Sequence, residues 1–263
     1  MNKMKEYAAM RKAELKEQIA QECFPPLLLI IRVGEDPASA RYVRNKIKDC
    51  EEVGIFAFEV QLTDGISTTG LMKYIQENQY NYDGIIIQQP LPKHIDQELI
   101  NRIIDPKRDV DGFHPMSKFK PATAKGIIDY LEWRDFDFEY ADVTIIGRSN
   151  IVGKPLAQML TDKDCTVTLC HSKTDKNTLL TNIRMSDLII SAVGKPKFLD
   201  CAYLRAPVID VGINFNEDGK ICGDCYFSNG AQGSPNVSPV PGGVGLLTRV
   251  ALLENVVEAA YGS

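Results

Sequence analysis

The chain has 263 residues, with 30 lysines and arginines against 35 acids, a formal charge of −5, 44% hydrophobic residues and 25% charged ones. This is the balance of a soluble globular protein large enough to bury a core in one or two domains without disulfides or a structural metal. No run of about five basic residues offers a surface for nucleic acid. The longest strongly apolar run, Leu27–Ile31, is far short of the roughly 20 residues that span a bilayer.

The first segment places Met4, Ala8, Leu15 and Ile19 on one stripe among lysines and glutamates, which predicts an amphipathic helix. No apolar stretch follows the early charges, so it is not read as a signal peptide, and a cytoplasmic location is expected. A buried strand is expected over Pro26–Val33. Asp36 and Pro37 then cap and open a helix to about Glu52, and a second strand covers Ile55–Leu62. A helix over Thr68–Gln79, a strand over Gly84–Gln88 and a helix over Ile95–Ile104 complete the first unit. The alternation predicts a parallel sheet covered on both faces.

From about Thr123 the rhythm restarts: a helix, the strand Val143–Ile146, a glycine turn, the helix Val152–Leu160 and the strand Thr166–Cys170. Strands over Leu188–Val193 and Pro207–Val211 follow, and Gly245–Tyr261 is helical in pattern and suited to complete the first unit. The seven cysteines (23, 50, 165, 170, 201, 222 and 225) are an odd set, mostly in apolar runs, and are read as reduced thiols. Cys222-Gly-Asp-Cys225 has the spacing of half a zinc site or a redox pair, but no second Cys-x-x-Cys or nearby histidine completes it, so no metal is expected.

Gly147-Arg148-Ser149-Asn-Ile-Val-Gly153 follows a strand and opens a helix, the setting in which amide groups and the positive helix end receive a dinucleotide pyrophosphate. It departs from G-x-G-x-x-G: serine takes the second glycine's place and the last glycine comes one residue late. A plain strand-to-helix connection reads the same way. The next strand ends Cys170-His171-Ser172-Lys173 in place of the acid that binds ribose hydroxyls in NAD-selective folds. With Arg148, these side chains suit a 2′-phosphate and favour NADP, although solvated surface cations give the same pattern.

In the first unit, Tyr42 and Lys46 lie four residues apart on one helix face, about 6 Å along the axis. Gln88 and Asp111 fall at or beyond strand carboxyl ends, where open α/β sheets bind ligands. A loop-facing amide and a turn aspartate before Gly112 are the plainer readings of those two.

Taken together and in order, Tyr42-x-x-x-Lys46, Gln88-x-Pro-Leu-Pro92, Asp109-Val-Asp-Gly-Phe113, Gly147-Arg-Ser-x-x-Val-Gly153, His171-Ser-Lys-Thr174, Asp210-Val-Gly-Ile-Asn214 and Pro239-Val-Pro-Gly-Gly-Val-Gly245 resemble the bifunctional methylenetetrahydrofolate dehydrogenase/cyclohydrolase family. The likeness runs from about Leu27 to Glu258. It implies a two-domain α/β fold: an N-terminal catalytic domain (1–122) completed by the C-terminal helix (241–263), a Rossmann-like NADP-binding domain (123–240), and an active-site cleft between them. It also implies oxidation of 5,10-methylenetetrahydrofolate by NADP and hydrolysis of the methenyl product to 10-formyltetrahydrofolate, a step linked to purine biosynthesis. A homodimer is implied as well.

Carried over by motif, Lys46 accepts a proton from the attacking water, because an ammonium is disfavoured beside a cationic intermediate. Gln88 orients that amine, Asp111 receives the donors of the pterin edge, and Tyr42 stacks on the substrate. The resemblance assigns Pro241, Gly242, Gly243, Val244 and Gly245 to a folate-contacting loop, and Gly147, Arg148, Ser149, Ser172 and Ile213 to the cofactor.

The departures from the family pattern are Pro121-Ala-Thr-Ala124 for Pro-Cys-Thr-Pro, a shortened Pro115–Pro121 segment, Gln89 for an aliphatic residue, and Leu246-Leu247 for Pro-Met. None removes a proton-transfer group. A dehydrogenase without hydrolase activity, and a non-catalytic nucleotide-sensing module, are the alternatives that these departures leave.

Overall fold

Capping residues set most helix starts along this chain. The computed structural model describes residues 2–231, 233–234 and 236–262. It begins with α1 (Lys3–Ala20), β1 (Leu27–Val33), α2 (Pro37–Val53), β2 (Phe56–Leu62), α3 (Thr68–Asn78), a 3-10 turn over Gln79–Asn81, β3 (Gly84–Ile87) and α4 (Gln97–Ile103). It continues with α5 (Ala122–Trp133), β4 (Asp142–Ile146), α6 (Gly153–Thr161), β5 (Thr166–Cys170), α7 (Lys176–Met185), β6 (Leu188–Ser191), β7 (Leu199–Asp200) and β8 (Val208–Asp210). Short strands β9 (Asn214–Phe215), β10 (Ile221–Cys222) and β11 (Cys225–Tyr226) precede α8 (Val244–Tyr261).

Asp36 Oδ2 accepts from the Ser39 amide at 2.7 Å with Pro37 in the first turn, and Gly54, left-handed at φ 97°, ends α2. Asp96 Oδ1 caps the amides of Glu98 and Leu99, so α4 starts two residues later than its apolar pattern suggests. The helix α7 lies where the sequence reading placed no element; its cap, Asp175 Oδ2, accepts from Asn177 and Thr178.

The chain divides into two compact units: residues up to Ala8 with Thr123–Thr248, and Ala9–Ala122 with residues from Arg249. This packing groups residues up to Ala8 and 241–248 with the second stretch of alternating elements, and the boundaries fall within α1 and α8.

The Ala9–Ala122 unit carries a parallel sheet in the order β2-β1-β3. Because side chains alternate along a strand, the two faces of β1 build two cores. Leu28 and Ile30 pack with Ile86, with Val43, Cys50 and Val53 of α2, and with Ala251, Leu252 and Val256 of α8. Leu29 and Ile31 pack with Ile85, Ile87, Leu71, Ile75 and Ile100. Each fully buried Leu or Ile contributes roughly 1.5–3 kcal/mol. Asp49 fixes α2 by pairing with Lys12 at 2.6 Å and Arg249 at 2.7 Å.

The segment after β3 is held by Asn255 of α8, whose Nδ2 donates to the carbonyls of Val110 (2.8 Å) and Lys120 (3.2 Å). Asp109 lies buried in this segment. Its Oδ2 accepts from the His114 amide at 2.7 Å, and its carbonyl accepts from Ser117 Oγ. Burial pushes the Asp109 carboxyl up to about 6, with the His114 amide opposing and the charge of Asp111 adding to the rise.

The other unit has four parallel strands in the order β5-β4-β6-β8, with a β9–β10 hairpin and a β7–β11 pair beside them. Ile146, Cys170, Ile183, Ile189, Leu199 and Val208 share one core. Tyr7 of α1 stacks edge-on against Tyr130 of α5, at 5.9 Å between centroids. In α5, a Cβ at Gly126 would lie 2.6 Å from the Leu247 carbonyl oxygen. All seven cysteines are free thiols: Cys50, Cys165, Cys170 and Cys201 are buried, Cys222 and Cys225 half-buried, and Cys23 exposed. Among the described residues no helix is long and apolar enough to cross a membrane.

Gly126→Ala gains about 0.5–1 kcal/mol of helix propensity but forces a backbone clash costing about 1–3 kcal/mol, so its urea midpoint is expected to fall; an unchanged or raised midpoint refutes the close approach. The Asp109 carboxyl has a folded value of about 6 against an ordinary 3.8, so the native state holds its proton more tightly. Its contribution is therefore present at low pH and is lost as pH rises through 3.8 to about 6. Asp109→Asn should flatten that decline, measured as unfolding free energy between those limits, and a wild-type slope in the variant counts against it.

Candidate active site

In the sheet β2-β1-β3 the chain passes from the central strand to one side and then returns to the other, so the carboxyl ends of β1 and β3 flank a switch point, the usual ligand crevice of an open α/β sheet. Gln88 is the first residue beyond β3, and its amide continues the ladder by donating to Ile31 at 2.8 Å. Its side chain is 8% exposed, and Nε2 donates to the Gln89 carbonyl at 2.7 Å. Oε1 is buried without a partner among the described residues. A buried acceptor left unmade costs about 1–3 kcal/mol, which marks it as a group awaiting a donor.

On α2 the buried face takes Val43 and Cys50 into the core, leaving Tyr42 exposed at 37% and Lys46 half-buried one turn on. Asp111 is half-buried. Desolvation pushes its carboxyl above the ordinary range, and the charge of Lys46 opposes that rise. Lys46 and Asp111 therefore act on each other electrostatically within one unit. A carboxylate raised by burial and steadied by an amine is suited to accept charged or paired N–H donors. Gln89 has its Oε1 held by the Leu91 amide at 3.2 Å, while its Nε2 is buried without a partner among the described residues.

The second sheet has the same kind of switch point between β4 and β6. Gly147 leaves β4 at φ 124°, and a Cβ there would collide with the Ala192 carbonyl of the segment after β6. A Cβ on Gly153 would strike the Gly147 carbonyl, so both glycines are required by close backbone approach. Ser149 stands at the middle glycine's place. Its Oγ accepts from the amides of Val152 (3.2 Å) and Gly153 (3.4 Å), and its carbonyl accepts from Lys154, which starts α6 over the turn. The tight turn and the positive end of a nine-residue helix fit a pyrophosphate.

After β5, His171 Nδ1 accepts from the Lys173 amide at 3.1 Å, and Ser172 and Lys173 are exposed beside it. The nearest following acid, Asp175, is committed to the α7 cap, whose amides, Thr178 first, hold its carboxyl below the ordinary range. Arg148 is exposed and forms no ion pair or hydrogen bond among the described residues, and Ile213 is exposed at 51%. This donor set fits a dinucleotide bearing a 2′-phosphate.

The Pro241–Gly245 loop belongs to the same unit as the Gly147 turn. Pro241 is exposed, and Gly242, at φ 95°, is tied by its carbonyl to Asn2 Nδ2 at 2.5 Å. Gly243 is buried where a Cβ would meet the Pro239 carbonyl, Val244 opens α8, and Gly245 has open space around its Cα. Tyr42, Lys46, Gln88 and Asp111 are thus gathered in one unit, and the cofactor residues with the glycine loop in the other. Sequence reasoning missed the buried acids Asp109 and Asp224 as organisers. The signal available for Asp224 was the glycine beside it in Gly223-Asp224, whereas Asp109, between Arg108 and Val110, carried none.

Residues 3–111 match the catalytic domain of the tetrahydrofolate dehydrogenase/cyclohydrolase family, and residues 121–263 match its NAD(P)-binding domain. The bifunctional protein FolD of Bacillus anthracis is 41% identical over 271 residues, covering 97% of this chain and 94% of the relative. The crystal structure of the bifunctional enzyme FolD from Campylobacter jejuni superposes with a TM-score of 0.91 at 40% identity, over 98% of this chain and 96% of that one. The Trypanosoma brucei methylenetetrahydrofolate dehydrogenase-cyclohydrolase, complexed with NADP and an inhibitor, gives 0.88 at 28% identity, over 97% and 95%. With both halves matched and the glycine turn built as a dinucleotide needs it, this chain belongs to the tetrahydrofolate dehydrogenase/cyclohydrolase family.

Proposed function

We propose that the protein oxidises 5,10-methylenetetrahydrofolate to the 5,10-methenyl cation with NADP and hydrolyses that cation to 10-formyltetrahydrofolate. The observation that carries this reading is the match of both family domains to one chain, and the buried, unpaired acceptor of Gln88 in the unit that holds Tyr42, Lys46 and Asp111 supports it. NADP, when bound, accepts the hydride from the one-carbon bridge.

The chain's own residues do the rest. Asp111 takes the N–H donors of the pterin edge and so fixes the ring, and Tyr42 stacks on its face. In hydrolysis, water adds to the cationic carbon and Lys46, as the neutral amine, accepts a proton from it. The Oε1 of Gln88 receives an N–H of that amine and aims its lone pair at the water. On the cofactor side Gly147 and Ser149 receive the pyrophosphate, Arg148 and Ser172 the 2′-phosphate, and Ile213 lies against the nicotinamide half. Residues 241–245 contact folate. In this reading the folate chemistry is the work of residues 1–122 and 241–263, and cofactor binding that of 123–240.

A homodimer in the cytoplasm, supplying formyl groups to purine biosynthesis and with no nucleic-acid partner, is the setting that fits. The acidic balance supports the last of these, since binding of a phosphate backbone needs clustered positive charge.

The test is a spectrophotometric assay with 5,10-methylenetetrahydrofolate and NADP, then with methenyltetrahydrofolate. Both rates should exceed buffer; NADPH formation with hydrolysis at the buffer rate reduces the protein to a dehydrogenase. Lys46→Ala should lower methenyl hydrolysis by roughly a hundredfold or more with NADP affinity nearly unchanged, and wild-type hydrolysis in that variant removes the role given to Lys46. Arg148→Ala should raise the KM for NADP about tenfold and leave that for NAD unaltered; equal changes for the two cofactors show that Arg148 does not read the 2′-phosphate.

A further inference from the structure

The segment Cys222-Gly-Asp-Cys225 has metal or redox spacing, yet its chemistry lies in the residue between the thiols. Cys225 is hydrogen-bonded to Cys201 and desolvated, both of which push its thiol up and away from the reactive thiolate. Among the described residues no group of three His, Cys, Asp or Glu is placed to hold a metal.

Asp224, by contrast, is fully buried and accepts five hydrogen bonds. Its Oδ2 takes Ser191 Oγ at 3.0 Å and the amides of Val193 (2.7 Å) and Gly194 (3.3 Å). Its Oδ1 takes the Lys195 amide at 3.0 Å and Asn214 Nδ2 at 2.9 Å. A second buried carboxylate, Asp210 at the end of β8, holds Asp224 in turn: Asp210 Oδ1 accepts the amides of Asp224 (3.0 Å) and Gly212 (2.9 Å), and Oδ2 that of Cys225 (2.8 Å). Gly212 and Gly223 are glycines because a Cβ on either would collide with the carboxylate of Asp224 or Asp210.

The donors come from two segments, Ser191–Lys195 after β6 and Asn214 after β8. The first contains Ala192, whose carbonyl lies against Gly147 and forms the floor of the dinucleotide turn. The second adjoins Ile213. Val193 also donates to Asp224 in place of a sheet partner, which is why β6 ends at Ser191, two residues before the apolar run does.

We propose that Asp224 is a positioning residue for the dinucleotide, a buried anionic peg that fixes both the floor of the glycine turn and the loop bearing Ile213. This rests on the reading that the β4–β8 unit binds NADP. A carboxylate suits the task because all its lone pairs accept, and five donors converge on it. In Asp224→Asn a side-chain NH2 replaces one acceptor and faces backbone N–H groups, so the two segments must separate.

The experiment compares full-length wild type, Asp224→Asn and Asn214→Ala by calorimetric titration with NADP and by methenyltetrahydrofolate hydrolysis, a step that uses no cofactor. Asp224→Asn should weaken NADP binding by about tenfold or more while hydrolysis stays within about twofold. Asn214→Ala removes one donor and leaves the peg charged, so a loss of about threefold is expected. Unchanged NADP affinity in Asp224→Asn, or hydrolysis falling in step with NADP binding, overturns the proposal. If Asp224→Asn does not fold, Asn214→Ala decides: unchanged affinity there overturns it. Wild type that fails to bind NADP overturns the functional reading and this inference with it, whereas wild-type binding with unaltered variants overturns the inference alone.

Discussion

The central strands β1 and β4 are walled in by strands on both edges, and β1 is buried on both faces, with Leu28, Leu29, Ile30 and Ile31 wholly inaccessible. No polar side chain can be carried along such a strand without a partner, so polar chemistry is driven to the strand ends. Parallel pairing then puts the free loops at the carboxyl ends, and reversal of strand order at the central strand opens a crevice there. Gln88, beyond the flanking strand β3, and the Gly147 turn, beyond the central strand β4, both lie at such a switch point for this one reason.

Buried carboxylates show how finely the surroundings grade the same group. Asp49 is neutralised by Lys12 and Arg249 and serves to hold α2. Asp224 is surrounded by five donors and needs no cation. Asp109 has far fewer donors, the amide of His114 foremost, and burial drives it toward the neutral form. Asp111, steadied by the charge of Lys46, keeps capacity for a ligand. Asp224, with five donors, serves structure, whereas the Gln88 Oε1 stays unmet in the unit to which substrate chemistry is assigned.

Much of this was legible in the residues themselves. Asp36-Pro37 announced α2, short continuous apolar runs announced β1 and β4, and Gly147 with Gly153 marked the dinucleotide turn even though the spacing departs from the common fingerprint. In the structure Ser149 stands at the middle glycine's place and its hydroxyl accepts from the amides of Val152 and Gly153 within the turn. Less was legible where long-range partners decide. The polar helix α7 has a weak apolar pattern, α4 is shortened by Asp96, and β6 is cut by a carboxylate 33 residues away in sequence from Ser191.

By itself the sequence determined the alternation of strands and helices, the parallel sheets that alternation demands, and the family, because apolar period, caps and ordered motifs are local properties of the chain. Tertiary structure alone decided which polar groups are satisfied. The spare acceptor of Gln88, the raised carboxyls of Asp109 and Asp111, and the convergence of Ser191, Val193, Lys195 and Asn214 on Asp224 depend on desolvation and on groups brought together from distant segments. Burial and hydrogen-bond geometry are properties of the packed chain, and no spacing along it encodes them.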